Sequence, residues 1–157
     1  KPKGNKVQII TNGGGYGILT IAAVSKSRNL QLTHLSEKTK EFLKKHFPRT
    51  VTVSNPIDLV GDADNKRYEI ALNACLKDNN VDMIILIVLY QTPLLTFDIT
   101  KLISKIIHKS KKPIIVVSTG GEIINKFKSV LEENNIVVYE FPHEAVKSLN
   151  ALVEYYF

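Results

Sequence analysis

Short apolar runs alternate with segments of helical periodicity along this chain. Residues 6–10, 30–35 and 136–141 have the character of strands, while residues 81–90 and 113–118 are apolar on both faces. Strands of the second kind are typical of the centre of a parallel sheet. Between the strands, apolar residues recur every three or four positions, which indicates amphipathic helices. Strand and helix alternate about five times, and this order predicts an α/β fold.

The right-handed crossover rule then favours a flavodoxin-like or Rossmann-like three-layer sandwich, with a parallel sheet of about five strands and helices on both faces. Ser36 is a candidate N-cap, and Pro142 is suited to a first helical turn. Residues 50–54 are a short strand or extended piece, and residues 55–64 are predicted to form a loop. The predicted helices span residues 16–28, 36–47, 65–80, 98–112, 121–135 and 142–156.

In open α/β sheets, ligands bind outside the carboxyl ends of the strands. Most of the glycines of this chain, and its Asn-Pro pair, are predicted to lie at this edge of the sheet. The segments expected at this edge are Thr11–Gly15, His34–Ser36, Ser54–Asp62, Gln91–Pro93 and Ser118–Gly121.

The stretch TNGGGYGI, residues 11–18, holds half of the 8 glycines in the chain. It lacks the third glycine of the dinucleotide fingerprint, because Ile18 or Thr20 occupies that position. It also lacks the Gly-Lys-Ser/Thr of a Walker loop. Nucleotide cradles of both kinds are therefore disfavoured, and a flavin or NAD domain with them.

A strand that ends in glycines before a helix suits an anion, because free N–H groups and the macrodipole point out of the helix. The helix is expected to start near Tyr16, and a tight turn with water on its amides is the alternative. The predicted phosphate-binding residues are Asn12, Gly13, Gly14, Gly15, Tyr16 and Gly17.

The stretch SNPIDLVGDAD, residues 54–64, holds three carboxylates, of Asp58, Asp62 and Asp64. Their spacing lacks the pattern of a calcium loop. Helix capping and loop bracing are therefore favoured over a metal site. Among the four histidines, only His34 is predicted near the ligand edge, and none is paired at metal spacing.

Composition narrows the class of protein. The chain of 157 residues carries a formal net charge of +6, but its lysines are scattered and not interleaved with aromatics, which disfavours a nucleic-acid face. No apolar run approaches the about 20 residues of a membrane span. The one cysteine, Cys75, is predicted to be buried, and a cytoplasmic location is expected. Residues 1–5 have the character of a linker and residues 6–157 that of one domain.

These stretches together resemble one domain of the ADP-forming acyl-CoA synthetases, the acetate–CoA ligases related to succinyl-CoA synthetase. The resemblance rests on KVQIITNGGGYGILTIAA, SNPIDLVGDADNKRYEIAL and KPIIVVSTGGE, and it covers nearly the whole chain in order. It implies the second of two succinyl-CoA-ligase-like flavodoxin domains. The family makes acid, CoA and ATP from acyl-CoA, ADP and phosphate, through an acyl phosphate and a phosphohistidine.

The resemblance also implies roles for residues of this chain and for other domains of the enzyme. The phosphohistidine is held between two helix N-termini, one of which would be the glycine stretch, and Asn55, Pro56 and Asp58 would brace the loop beside it. No cofactor is expected in this domain. The parent enzyme implies CoA, ADP or ATP with Mg, and phosphate. The partners implied are a CoA-binding Rossmann domain, a phosphohistidine-bearing flavodoxin-like domain and an ATP-grasp domain.

Two departures from the family pattern stand out. Tyr16 occupies a position where the family often has proline, and no histidine lies in a His-Thr-Gly stretch. The chain alone is therefore expected to be inactive, and to act as part of an enzyme. The alternative is a stand-alone anion-binding or regulatory module of the same fold, for which an initiator methionine near Lys1 with nothing upstream would argue.

Overall fold

The computed structural model describes all residues, 1–157, as a sheet covered by helices on both faces. The strands are β1 (Lys6–Thr11), β2 (Gln31–Leu32), β3 (Thr52–Val53), β4 (Ile57–Asp58), β5 (Met83–Ile87), β6 (Ile114–Val117) and β7 (Val138–Tyr139). The helices are α1 (Gly14–Lys26), α2 (Glu37–His46), α3 (Asn65–Lys77), α4 (Ile99–Lys109), α5 (Gly121–Glu133) and α6 (Pro142–Tyr156). The predicted α/β three-layer sandwich is confirmed.

The sheet has seven strands, in the order β3-β4-β1-β5-β6-β7, with β2 also paired to β1. The prediction of about five parallel strands was incomplete, because β3 and β4 add a short pair of which β3 runs antiparallel. The loop predicted over residues 55–64 was wrong for β4, which lies parallel to the end of β1. Strand β3 lies inside the short strand or extended piece predicted over residues 50–54, whereas the two residues of β4 carry too little pattern to be recognised in a sequence.

The central strands of the sheet are almost completely buried. All five residues of β5 are buried, as are five of the six in β1. Helices α1 and α6 pack together over one face, where Val24, Ala145 and Leu149 join the smaller apolar core. Helices α2 to α5 cover the other face and its larger core. Apolar contact on both faces is what the continuous hydrophobic runs predicted.

Several helix starts follow from the local sequence. The Ser36 hydroxyl accepts a hydrogen bond from the Thr39 N–H at 3.3 Å, and Asp64 accepts one from the Arg67 N–H at 2.8 Å. Both are the N-caps expected of these residue types. Pro142 opens α6, as predicted. No helix combines the length and the apolar character needed to cross a membrane.

Candidate functional site

The glycine stretch forms the turn from β1 into α1 at the carboxyl edge of the sheet. Helix α1 begins at Gly14, two residues before the predicted start near Tyr16, and Gly13 is its N-cap with φ −139°. Positive φ occurs among the glycines only at Gly120 and Gly121. The glycines of this turn therefore do not serve an unusual backbone conformation, and their small size must be what matters.

Close packing accounts for three of these glycines, since a Cβ on Gly14 would lie 2.9 Å from Asp58 Oδ2. A Cβ on Gly13 would lie 2.4 Å from Leu89 Cδ1, and one on Gly17 would lie 3.1 Å from both Pro56 Cγ and Thr11 Cγ2. Gly15 differs, because a Cβ there would meet nothing within 4 Å, and the residue is exposed. Gly15 is therefore the open point of the turn.

The backbone N–H groups of the turn divide into two sets. The Gly13 N–H donates to Thr11 Oγ1 at 3.0 Å, and the Gly17 N–H donates to the Gly13 carbonyl at 3.2 Å. The N–H groups of Gly14, Gly15 and Tyr16 precede this first intrahelical bond and have no acceptor within the helix. They point from the positive end of the helix dipole. The donors available to a ligand are thus fewer than the six predicted residues.

Asn12 holds the turn against the loop after β5. Its Nδ2 donates to the Leu89 carbonyl at 3.2 Å and to Thr92 Oγ1 at 3.1 Å, while its Oδ1 accepts from the Leu89 N–H at 2.9 Å. The side chain is 2% exposed. Its polar atoms are thus engaged within the fold, and Asn12 positions the turn without an atom left for a ligand.

Asn55 completes the sheet between two short strands. Its Oδ1 accepts from the Ile9 N–H at 3.0 Å, and its Nδ2 donates to the carbonyls of Val7 at 2.8 Å and Thr33 at 3.1 Å. Strand β2 pairs with the start of β1 and β4 with its end, so β1 has a gap on this side. The Asn55 amide fills that gap as a backbone peptide group would.

Pro56 and Asp58 reach the glycine turn from the same segment. Pro56 packs on Gly17, and Asp58 Oδ2 lies 2.9 Å from the place of a Cβ on Gly14. Asp58 Oδ1 accepts from the Val60 N–H at 3.0 Å. Val60 has φ 60°, which is unfavourable for a β-branched residue and costs about 1–3 kcal/mol. The Val60 N–H thus holds one oxygen of the Asp58 carboxylate, while the other lies next to the start of α1.

Tyr68 is a buried residue below the turn. It is 0% exposed, and its hydroxyl donates to the Ile87 carbonyl at 2.7 Å. Burial raises the pKa of Tyr68 well above its ordinary value, and the nearby Asp58 charge raises it further. Tyr68 therefore stays a neutral hydrogen-bonding group under the site. The periodicity of α3 predicted that Tyr68 faces inward, but not that it lies below the glycine turn.

Four of the five predicted edge segments are where the sequence places them, but His34–Ser36 is not. The His34 carbonyl accepts from Asn80 Nδ2 at 3.0 Å, and Asn80 precedes β5 at the opposite edge of the sheet. Strand β2 pairs with only the first two residues of β1, so the chain leaves the sheet early. The suggestion of a functional role for His34 at the ligand edge is therefore wrong.

The other carboxylates and the cysteine have structural roles. Asp62 Oδ1 accepts from Arg67 Nη1 at 2.6 Å, and Asp64 caps α3. No group of three or more potential metal ligands is present. Burial raises the pKa of the Cys75 thiol, as expected for the predicted buried cysteine. A groove of about 840 Å³ lies between α2 and α3 and contains none of the glycine-turn residues.

With this geometry in place, comparison with known families gives the class of protein. The family model of the Ligase-CoA domain matches residues 7–155. The chain therefore belongs to the Ligase-CoA domain family. This agrees with the resemblance carried by the glycine stretch and the Asn-Pro-x-Asp stretch.

Individual relatives show which proteins are similar to this chain. The chain is 36% identical over 158 residues to the alpha subunit of acetate–CoA ligase [ADP-forming] II from Pyrococcus furiosus, covering 98% of this chain and 34% of the relative. A Pyrococcus horikoshii OT3 crystal structure matches with TM-score 0.90 and 36% identity, over 98% of this chain and 36% of that one. The chain thus spans about a third of the length of these relatives.

A third similar protein was solved with bound ligands. The dinucleotide forming acetyl-coenzyme A synthetase 1 of Ca. Korarchaeum cryptofilum, solved in complex with phosphate and ADP, matches with TM-score 0.87 and 28% identity. The match covers 99% of this chain and 34% of that chain. Enzymes with this domain therefore include one solved with phosphate and ADP.

Proposed function

We propose that this chain is the phosphoryl-holding domain of a cytoplasmic ADP-forming acyl-CoA synthetase. The parent enzyme converts acyl-CoA, ADP and phosphate to free acid, CoA and ATP. The proposal draws on membership of the Ligase-CoA family and on relatives described as ADP-forming acetate–CoA ligases. The part assigned to this chain is to stabilise a phosphohistidine intermediate that another domain supplies.

The observation that carries the proposal is the set of three N–H groups at the start of α1. The groups of Gly14, Gly15 and Tyr16 have no acceptor within the helix, because Gly17 donates the first intrahelical bond. Donors fixed before the reaction, at the positive end of a helix, stabilise charge on a phosphoryl group in transfer. Gly15 leaves the approach open, since no side chain stands over it.

The remaining residues of the predicted site act by positioning. Asn12 ties the turn to the loop after β5, and Asn55 ties the segment that holds Pro56 to β1. Pro56 sets the distance of that segment from Gly17. Gly13 and Gly17 permit the contacts, while their N–H groups are already used. We assign direct phosphoryl contact to the other three residues of the turn.

The histidine that carries the phosphoryl group belongs to another part of the enzyme. The four histidines here, His34, His46, His108 and His143, lie outside any His-Thr-Gly stretch. We assign CoA to a Rossmann domain, and ADP or ATP with Mg to an ATP-grasp domain. Because this chain spans about a third of the relatives, such further domains have room in the parent enzyme.

The proposal is tested with the complete synthetase carrying Gly15→Val, compared with Gly61→Val. Both glycines are exposed, and a Cβ meets nothing within 4 Å at either one. Only the Gly15 side chain would lie over the free N–H groups, because helical Cβ atoms tilt towards the N-terminus. After incubation with labelled ATP, the acid-labile phosphohistidine is measured.

We expect Gly15→Val to lower the phosphohistidine yield by about tenfold or more, which equals about 1.4 kcal/mol of lost stabilisation. Gly61→Val should leave the yield within about twofold of the unmodified enzyme. Equal yields in the two variants would contradict a phosphoryl site at α1. Thermal unfolding of both variants verifies that the fold is kept.

A further inference from the structure

The face of α1 that points away from the sheet is apolar. Ile18 is 68% exposed and Leu19 is 58% exposed, and the small Ala22 beyond them is exposed as well. The only charged residue in the 13 residues of α1 is Lys26, in its last turn. The opposite side of the helix, with Gly17, Thr20 and Val24, is already buried against the fold. A helix that is hydrophobic all round is normally buried on all sides.

Helix α2 shows that the exposed face of α1 is unusual within this molecule. Six of the ten residues in α2 are Lys or Glu, and most of them are exposed. Such a face is stable in water without a partner. Helix α1 lacks this polar cover, although it lies on the surface of the same domain.

The exposed face of α1 starts at the candidate site. Gly15, Ile18, Leu19 and Ala22 follow the spacing i, i+3, i+4 and i+7, so they form one stripe along the helix. The stripe is about 10 Å long, from the rise of about 1.5 Å per residue. Its first member, Gly15, is the open point next to the free N–H groups. A surface that covers Ile18 and Leu19 therefore also reaches the start of α1.

We propose that this stripe is the docking surface for the domain that presents the phosphoryl group. The partner has an apolar surface next to an anionic group, and it belongs to the same synthetase. The relatives are about three times the length of this chain, so further domains are available to cover the stripe. The inference rests on the proposed function and adds to it that apolar docking and phosphoryl capture are one event.

The first test measures whether the stripe is covered in the complete synthetase. Leu19→Cys and Phe42→Cys are each treated with a thiol reagent, and modification is read from the peptides by mass spectrometry. The natural Cys75 is 0% exposed and should not react. In this chain Leu19 is 58% exposed and Phe42, on α2, is 44% exposed. Without a partner on α1, Leu19→Cys would react at least as fast as Phe42→Cys.

Docking reverses this order. We expect Leu19→Cys to react about tenfold more slowly than Phe42→Cys in the complete enzyme, because a docked surface excludes the reagent. A rate for Leu19→Cys equal to or above that for Phe42→Cys overturns the proposal. Both variants keep a small apolar side chain at an exposed position, and a thermal unfolding curve confirms that each is folded.

The second test measures whether docking is coupled to phosphoryl capture. Leu19→Glu places an unpaired charge in the docked surface, so we expect about a tenfold lower phosphohistidine yield. Phe42→Glu should change the yield by less than about twofold. An unchanged yield with Leu19→Glu overturns the coupling.

Failure of this inference and of the proposed function can be told apart. Slow labelling of Leu19→Cys together with a normal yield in Gly15→Val would keep the docking surface and reject the phosphoryl site. Fast labelling together with a low yield in Gly15→Val would keep the phosphoryl site and reject the docking surface.

Discussion

Two glycine turns lead from strands into helices at the same edge of the sheet, and they use glycine for different reasons. In the turn before α1, Gly13 and Gly17 have close neighbours, and no glycine has positive φ. In the turn before α5, Gly120 has φ 123° and Gly121 has φ 50°. The first turn needs the space of a missing Cβ, and the second needs the conformational freedom of glycine.

This difference separates a candidate site from an ordinary connection. Backbone conformation alone explains the glycines before α5, so nothing further needs to bind there. Packing explains Gly13, Gly14 and Gly17 before α1, but neither packing nor conformation explains Gly15. An open glycine next to free N–H groups is what close approach of an anion requires.

The largest effect is expected where side chains hold the first turn. Asn12→Ala leaves the Leu89 N–H and carbonyl without their partners, and each such group costs about 1–3 kcal/mol. We expect the free energy of unfolding in urea to fall by about 3 kcal/mol. Ser118→Ala is the matched change in the second turn, where one hydroxyl donates to Val88. Ser118→Ala should lower the free energy of unfolding by about 1 kcal/mol. Equal losses in the two variants would show that side chains hold the two turns equally strongly.

Gly120→Ala tests the second turn. With φ 123° and ψ 99°, an alanine would be strained whatever the space around it, so we expect a loss of about 2 kcal/mol. Removing the neighbour with Gln91→Ala should not restore stability, because the strain lies in the backbone. Urea unfolding of the single and double variants measures this, and recovery in the double variant would speak against a conformational cause.

Gly13→Ala tests the first turn in the same way. The added Cβ would lie 2.4 Å from the end of the Leu89 side chain, and we expect a loss of about 1 kcal/mol. Here Leu89→Ala should relieve the contact, so the double variant should be more stable than the sum of the two single changes predicts. Strictly additive losses would show that contact with Leu89 is not the cause.

Gly15→Ala should have the smallest effect on stability, and of opposite sign. Nothing crowds a Cβ at Gly15, and alanine favours the helix, so the free energy of unfolding should rise by about 0.5–1 kcal/mol. Thermal unfolding measures the change. A natural residue that lowers stability without any packing reason points to function. A decrease in stability would instead give Gly15 a structural role.

The sequence predicted the parts of the fold that depend on local pattern. The runs that became β5 and β6 showed burial on both faces, and Ser36 and Pro142 marked helix starts. It also predicted that the glycine stretch lies between a strand and a helix. Hydrophobic periodicity and helix capping depend on a few neighbouring residues, so they can be predicted from the sequence.

The bracing of the turn could not be predicted, because it depends on distant pairs. Asn12 bonds to Leu89 and Asn55 to Val7, which are separated by 77 and 48 positions. The error at His34 has the same origin. Strand β2 pairs with only the first two residues of β1, and Asn55 bonds to Ile9 beyond them, which nothing near His34 in the sequence reveals.

An NMR titration of this chain with phosphate tests directly whether the first N–H groups of α1 bind a phosphoryl group. We expect millimolar phosphate to shift the amide signals of Gly14, Gly15 and Tyr16. The amide signals of Gly120 and Gly121 should stay in place, and Gly15→Val should abolish the shifts. Absence of shifts at α1, or equal shifts at both turns, would contradict a phosphoryl site at the start of α1.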